Sequence, residues 1–493
     1  MTGPRHSIAA LAAKVAASRA SARTLVSILV PLFNEETYIG ECLARVLNAP
    51  LPESISLEII VVDDGSTDRS AEVALRVQDE YPGVIRVIRH PRNLGKGAAI
   101  RTAIEHASGE FCLIQDADLE YSPIEYRKLL EPLVSGKADA VFGSRFVFTS
   151  ERRVLYFWHA VANRVITTFC NMVADLNLTD METCYKAART SLLKSIPIRS
   201  DRFGIEPELT LKLAQRRARI YEIPISYHGR TYEEGKKIRT KDALQALWVI
   251  CRFGFFQRDI FKDRGSEILD TLASAPRFNA WMADAVRPFL GETVLEIGAG
   301  LGNLAGLLCR NKKRYIASDI DEEHLARLRG RFEHHRSVEV AYLDVERPED
   351  FVPFERDLDS VVCLNVLEHT RNDTLGLANI FSVLRPGGRA VILVPYGADV
   401  YGGIDEVLGH YRRYSEPELR SKLEEAGFQI ETVIEFNKPA RPGWFVNGRI
   451  FKRDNISRFQ VFVYDRLVWL WRKLDPILPL KPTSIIAVGV RRA

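Results

Sequence analysis

A chain of 493 residues has room for two to four domains, and 46% hydrophobic with 27% charged residues is the make-up of globular protein, not of a disordered or fibrous one. A net charge of +4 gives no electrostatic case for nucleic acid as a partner. Seven scattered cysteines without a C-x-x-C pair argue against a disulfide framework or structural zinc and for a reducing compartment, and the absence of any run of ~20 uninterrupted apolar residues argues against a membrane span.

The first stretch, MTGPRHSIAALAAKVAASRASARTL, is rich in Ala, Arg and Ser and has no acids. Its composition is that of a transit peptide, but a short surface helix or frayed start over 1–24 is the preferred reading. The strand SILVPLF then stops after Pro31, and LEIIVVDDGSTD ends in Asp63 and Asp64 before a Gly-Ser-Thr turn. Asp64 and Ser66 read as turn chemistry, and Asp68 as the cap of a helix from Arg69. VIRVIRH gives a third strand, NLGKGAAIRTAIEHA a loop opening a helix, and EFCLIQDADLE a fourth strand running into Asp116, Asp118 and Glu120. If this last segment is extended, period two puts all three carboxylates on one side. A bound divalent cation would remove their repulsion. Acids at the C-terminal ends of parallel strands lie where open α/β sheets bind ligands, so Asp63, Asp116 and Asp118 are expected to face one crevice.

The alternation of short apolar runs with helical patterns predicts an α/β fold with a largely parallel sheet. It starts afresh at ETVLEIGAGLGNLAGLL, Glu292–Leu308, with no internal repeat between the halves. The expected domains are 25–255 and 278–493, joined through 256–277.

The motifs VPLFNEE, VVDDGSTD, NLGKGAA, DADLE and FGSRF, in this order, resemble the inverting family 2 glycosyltransferases with a GT-A fold, and among them the polyprenyl-phosphate (dolichyl-phosphate) sugar synthases. The resemblance implies a nucleotide-diphospho-sugar donor and Mg2+ or Mn2+. Asp116 and the catalytic Asp118 would hold metal and diphosphate, with Glu120 in support, and oxygen ligands suit such ions. Pro31, Glu35 and Asp63 would surround base and ribose. LNLTDMETCYKAARTSLL matches the acceptor-side motif, with Cys184-Tyr185-Lys186 in place of Gly-Phe-Arg, a variant of the glucose or mannose branch. Asp180 and Glu182 would lie nearest the transfer centre. For a sugar-hydroxyl acceptor one of them must act as general base; for a lipid phosphate, already an anion, Asp180 need only orient. Arg230 and Lys236 in EIPISYHGRTYEEGKKI would grip phosphates. RVLYFWHAVANRVITTFCNMV is apolar but broken by His159, Asn163 and Arg164. It is read either as an amphipathic helix resting on a bilayer and receiving a lipid, or as core packing.

In the second half Gly298, Gly300 and Gly302 allow close backbone approach to a ligand. YIASDID ends a strand at Asp319, VAYLDVE carries Asp344, LDSVVCLNVLEHT carries Asn365, Leu367 and His369, and IFSVLRPGGRAVILVPY follows. This order resembles the class I S-adenosylmethionine-dependent methyltransferases, with their Rossmann-like fold. The resemblance implies Glu296 and the glycines beside the methionine part of S-adenosylmethionine, Asp319 on the ribose, Asp344 at the adenine, and Asn365 and Leu367 at the opening to the methyl group. His369 would be a base for O-methylation or a hydrogen-bonded helix-start histidine. His410, Tyr411 and Arg413 would line the acceptor entrance. TSIIAVGVRR would supply a seventh, antiparallel strand, making 438–482 an insertion, read as a membrane-surface helix, an acceptor lid or a segment packed against the first half.

Together these readings give a bifunctional cytoplasmic enzyme, peripheral on the inner face of the membrane. It would transfer a sugar with inversion to polyprenyl phosphate and methylate a small-molecule or glycan acceptor. The alternative is transfer to a sugar hydroxyl of a glycan, with the second half a non-catalytic cofactor-binding module.

Overall fold

A computed structural model of the protein describes residues 23–147, 156–229, 240–257, 260–262, 264–354, 357–446 and 457–492. The chain divides into two compact units between Lys262 and Asp263.

The first unit is built on seven strands: β1 (Thr24–Leu32), β2 (Ile55–Asp63), β3 (Ile85–Arg89), β4 (Phe111–Ile114), β5 (Ala140–Ser144), β6 (Lys186–Arg189) and β7 (Ile220–Pro224). Their order in the sheet is β3-β2-β1-β4-β6-β5-β7. β6 runs antiparallel to β4 and β5, and the other pairs are parallel. Val26 through Val30 on β1 are all buried, as are Phe111 through Ile114 on β4. Such continuously buried, largely apolar runs form where helices cover both faces of a sheet. Chain order reverses between β1 and β4, and a crevice opens at their C-terminal ends, as doubly wound sheets require. This mixed sheet is the GT-A-like arrangement.

Two local expectations need correcting. β4 ends at Ile114, so Asp116, Asp118 and Glu120 lie on an irregular segment and period two does not align them. Gln115 marks the change: its side chain accepts hydrogen bonds from the hydroxyls of Tyr126 and Tyr185, each at 2.7 Å, and donates to the Asp116 carbonyl at 2.9 Å. These bonds fix a turn in place of further ladder. The helix after the Gly-Ser-Thr turn starts at Ser70, not Arg69; Asp68 accepts from the Ser70 amide at 3.0 Å and from the Glu36 amide at 3.2 Å.

The second unit has β8 (Thr293–Ile297), β9 (Arg314–Asp319), β10 (Val338–Tyr342), β11 (Leu358–Leu364), β12 (Leu384–Pro395), β13 (Phe428–Phe436) and β14 (Ser484–Arg491), in the order β10-β9-β8-β11-β12-β14-β13. β14 is antiparallel to both neighbours and slots between β12 and β13. The expected seventh strand is thus present, in a Rossmann-like sheet. Within the inserted segment, Tyr464, Val468 and Trp471 pack on the core around Trp281 of the same unit. The Asp465 carboxylate there accepts from the amides of Arg277 and Phe278, both at 2.9 Å. The helix Arg264–Ala273 falls within the expected join. No described helix is long and apolar enough to cross a membrane.

Candidate active sites

A cavity of about 750 Å3 lies at the β1/β4 reversal of the first unit. Pro31 and Glu35 line it from the end of β1, and Asp116, Asp118 and Glu120 from the segment after β4. The irregular turn therefore still brings the three acids to one crevice. Lys96, Arg145 and Arg202 bring positive charge to the same space. Lys96 opens the helix Lys96–His106, and its Nζ lies 2.9 Å from Asp116 Oδ1 and 3.0 Å from Glu206 Oε1. Burial works against its charge, but the attraction of Asp116 and Glu206 outweighs this and holds its pKa well above the usual lysine value. Glu120 accepts a hydrogen bond from the Tyr227 hydroxyl at 2.9 Å.

Asp180 is fully buried. Its Oδ2 accepts from Arg145 Nε at 2.6 Å and the Arg145 amide at 3.1 Å, and its Oδ1 from Arg145 Nη2 at 2.8 Å and Asn163 Nδ2 at 3.0 Å. Burial alone would raise its pKa; Arg145 and these bonds overcome it and hold the carboxyl below the ordinary range. With its lone pairs so engaged, Asp180 is a poor proton acceptor and a good anchor for Arg145. Glu182, which also lines the cavity, is the opposite case. Burial, then the nearby Glu206 carboxylate, pushes its pKa up, so it is the acid of the pair suited to take a proton.

Asp63 is fully buried and is not among the lining residues; its carboxylate accepts from the Ser66 amide and from Arg89 Nε, both at 3.2 Å. Its neighbour Asp64 lines the cavity and holds the NLGKG loop through the amides of Leu94, at 2.9 Å, and Gly95, at 2.7 Å. Arg230 and Lys236 lie outside the described residues. Lys96, Arg145 and Glu206 were assigned no role from sequence, although NLGKGAA and FGSRF contain the two cations.

In the second unit Gly298, Gly300 and Gly302 follow β8, all with positive φ. A Cβ at Gly298 would lie 2.4 Å from Val366 Cγ2, whereas one at Gly300 would meet no atom of the described residues within 4 Å. Gly298 is therefore demanded by packing, and Gly300 borders open space. Asp319 ends β9 as expected. It accepts from the Gly300 amide at 2.8 Å and the Asp321 amide at 2.9 Å, with His324 Nδ1 at 3.2 Å. Burial would raise its pKa, but His324 and the two amides prevail and keep it ionised. Glu296, on β8, is buried against the Tyr315 hydroxyl at 2.9 Å, and burial pushes its pKa up to about 7. Asp344 follows β10, half-buried, and accepts from the Glu346 amide at 3.0 Å. Asn365 follows β11 in a left-handed conformation, φ 54°. Glycine loop, Asp319 and Asn365 thus share the C-terminal edge of adjacent strands, where β8 and β11 mark a second reversal of order. The His369 ring meets the His410 ring edge-on, 4.7 Å between centroids.

Comparison with known proteins agrees with this division. The family described as Glycosyl transferase family 2 matches residues 27–196, and that described as Methyltransferase domain matches 295–390. Over 213 residues the chain is 30% identical to an undecaprenyl-phosphate 4-deoxy-4-formamido-L-arabinose transferase of Edwardsiella ictaluri, covering 43% of this chain and 62% of that protein. It is 27% identical to a dolichol-phosphate mannosyltransferase of Pyrococcus furiosus, covering 43% and 58%. The chain thus spans less than two thirds of the length of these relatives. Among solved structures, glucosyl-3-phosphoglycerate synthase from Mycobacterium tuberculosis is similar with 20% identity and TM-score 0.38, over 52% of this chain and 86% of that one. A putative methyltransferase from Bacillus halodurans is similar with 20% identity and TM-score 0.30, over 45% and 100%. The chain therefore joins a family 2 glycosyl transferase domain to a methyltransferase domain.

Proposed function

We propose that the first unit transfers a sugar, with inversion, from a nucleotide-diphospho-sugar to polyprenyl phosphate, and that the second transfers a methyl group from S-adenosylmethionine to a small-molecule or glycan acceptor. The observation that carries the first half is the pairing of acids and cations in one crevice with an apolar wall. Asp116 and Asp118 are hard oxygen donors beside Lys96 and Arg202, while Trp158, Ala162 and Ile166 line the same cavity. Mg2+ or Mn2+ needs only one or two protein carboxylates when a diphosphate supplies further oxygens, so these residues fit such an ion. When bound, it would stabilise the leaving diphosphate. Lys96, held between Asp116 and Glu206, and Arg145, held by Asp180, keep two cations fixed where anionic groups of donor and acceptor would meet. A phosphate acceptor is already a nucleophile, so no strong base is required.

The apolar wall continues outward. Trp158, Val165 and Met172, at intervals of seven on the helix Phe157–Ala174, are exposed, as are Leu244 and Trp248 on the helix Thr240–Cys251 that packs beside it. Such a stripe suits peripheral contact with a bilayer and delivery of a lipid acceptor. The polyprenyl- and dolichol-phosphate relatives support this acceptor class. The test is incubation with labelled nucleotide-sugars and polyprenyl phosphate. An organic-extractable labelled product is expected; label confined to water-soluble glycan would favour the hydroxyl acceptor.

For the second unit, the open space at Gly300 beside the ionised Asp319 is the supporting observation. Glu296, the glycine loop, Asp319, Asp344 and Asn365 would hold the cofactor.

A further inference from the structure

The second unit carries a group of ligand-type side chains that the cofactor assignment does not use. Glu368 and His369 stand on the single helical turn Leu367–His369 that follows β11, and His410 follows the helix Gly403–Leu408. The two segments are tied by the Tyr411 amide, which donates to the Glu368 carbonyl at 2.8 Å. A carboxylate oxygen of Glu368 and one ring nitrogen each of His369 and His410 lie within 4.8 Å of one another.

Two observations, independent of that spacing, point to a ligand. Glu368 is fully buried, and neither of its carboxylate oxygens has a hydrogen-bond partner on another described residue. Buried polar atoms left in this way are rare and ask for a reason. Arg413, whose charge acts on Glu368, does not supply one, because its Nε is spent on Asp405 Oδ1 at 2.8 Å. The second observation is that His410 Nδ1 lies 2.8 Å from the same Asp405 oxygen. Metal-bound histidines hold their other ring nitrogen against a carboxylate or carbonyl in this manner, which fixes tautomer and ring angle. His369 likewise has the carbonyls of Leu408 and Gly409 within reach.

We propose that Glu368, His369 and His410 bind one divalent transition-metal ion, with Asp405 orienting His410. Two imidazoles and a carboxylate suit zinc and related first-row ions, and three protein ligands leave positions open. The site differs in kind from the all-oxygen Asp116 and Asp118, which suit Mg2+ or Mn2+. An ion here satisfies the Glu368 carboxylate. Glu368 comes three residues after Asn365, so the open positions face an oxygen-bearing, metal-chelating methyl acceptor, such as a molecule with adjacent hydroxyls. This last clause rests on the methyl-transfer reading; the metal site does not.

The experiment is titration of the metal-stripped full chain with Co2+, read by its visible d–d absorption, with Zn2+ as competitor. One equivalent of cobalt with nitrogen-ligand absorption is expected, displaced by zinc and retained in Asp118→Ala. His410→Ala and Glu368→Gln should lose it, and Asp405→Asn should weaken it about 10- to 100-fold, the usual cost of an orienting partner. Each variant is checked for folding by its thermal transition in the absence of metal. His369→Ala, altered at the surface, provides a second loss-of-ligand variant should the buried changes unfold the unit. Equal cobalt absorption in wild type, His410→Ala and His369→Ala, or none in wild type, overturns the proposal. Calorimetry with S-adenosylmethionine runs in parallel: cobalt binding without cofactor binding upholds the metal site and removes the methyl-transfer reading.

Discussion

Arg145 lays its guanidinium along both oxygens of Asp180, at 2.6 and 2.8 Å, in a place where the Asp180 side chain has no exposure to solvent and that of Arg145 is 11% exposed. Removing one member of a buried pair strands the other, typically at about 3–5 kcal/mol. Asp180→Ala should destabilise the first unit by about that amount in chemical denaturation. The pH dependence follows from the direction of the shift. The folded Asp180 titrates below the ordinary value of 3.8. Its contribution is therefore fully present above about pH 4 and lost as pH falls through the folded pKa. In wild type the acid limb should be steeper than in Asp180→Ala; identical acid limbs would show that the pair contributes nothing.

Asp118→Ala should abolish sugar transfer while leaving S-adenosylmethionine affinity unchanged, because the two assigned sites belong to separate sheets. EDTA should act in the same way on transfer. Lys96→Met should also depress transfer, since it leaves Asp116 and Glu206 without the ammonium between them. Full sugar transfer in EDTA would remove the metal assignment.

Glu182 separates the two acceptor classes. General-base catalysis is typically worth about 10²–10⁴-fold. If the acceptor is a lipid phosphate, Glu182→Gln should cost less than about tenfold in kcat, because no proton has to be taken from the nucleophile. A loss of about a hundredfold or more, with a flattened pH profile, would move the reading to a sugar hydroxyl.

Much of this was legible because the strands are buried on both faces. SILVPLF, LEIIVVDD and VLEIG stand out as mostly apolar runs, and β9 ends at Asp319 where the sequence places it. The aspartates at the end of β2 show the limit. Successive residues of a strand face opposite ways, so at most one of Asp63 and Asp64 can line the crevice, and composition does not say which. The acids after β4 were assigned to one crevice through an extended segment, whereas a turn pinned by Gln115 brings them there. Lys96 and Arg145 gained no role because their partners are distant in the chain. Glu206 lies 110 residues beyond Lys96, and Asp180 lies 35 beyond Arg145.

The exposed stripe offers a measurement separate from turnover. Fully burying a large apolar side chain is worth ~1.5–3 kcal/mol, which is about tenfold or more in partitioning at ~1.4 kcal/mol per decade. Trp248→Ala should therefore weaken sedimentation with anionic vesicles by at least several-fold, and Trp158→Ala, Trp248→Ala together by more. Trp248 is the cleaner probe, because Trp158 also lines the cavity. Vesicle binding indifferent to both changes would leave this surface without a lipid role.

Gly298 and Gly300 are close in sequence and share positive φ, yet they should fail differently. A methyl at Gly298 would sit 2.4 Å from Val366 Cγ2. Gly298→Ala should thus destabilise the second unit through both this clash and the left-handed backbone, which alone costs about 1–2 kcal/mol. At Gly300 a methyl meets no atom of the described residues within 4 Å, so Gly300→Ala should cost only the backbone strain but intrude on the cofactor. Its amide also donates to Asp319, whose carboxylate would take the ribose hydroxyls. Hydrogen bonds to an ionised group are worth about 1.5–3 kcal/mol each, so Asp319→Ala should weaken S-adenosylmethionine by roughly tenfold to several hundredfold. Thermal melts without ligand and calorimetric titration of each variant separate the two effects. The expected pattern is a lowered melting temperature dominating in Gly298→Ala and weakened cofactor dominating in Gly300→Ala and Asp319→Ala. Unchanged S-adenosylmethionine affinity in both of the latter would mean that this loop and acid do not form the cofactor site.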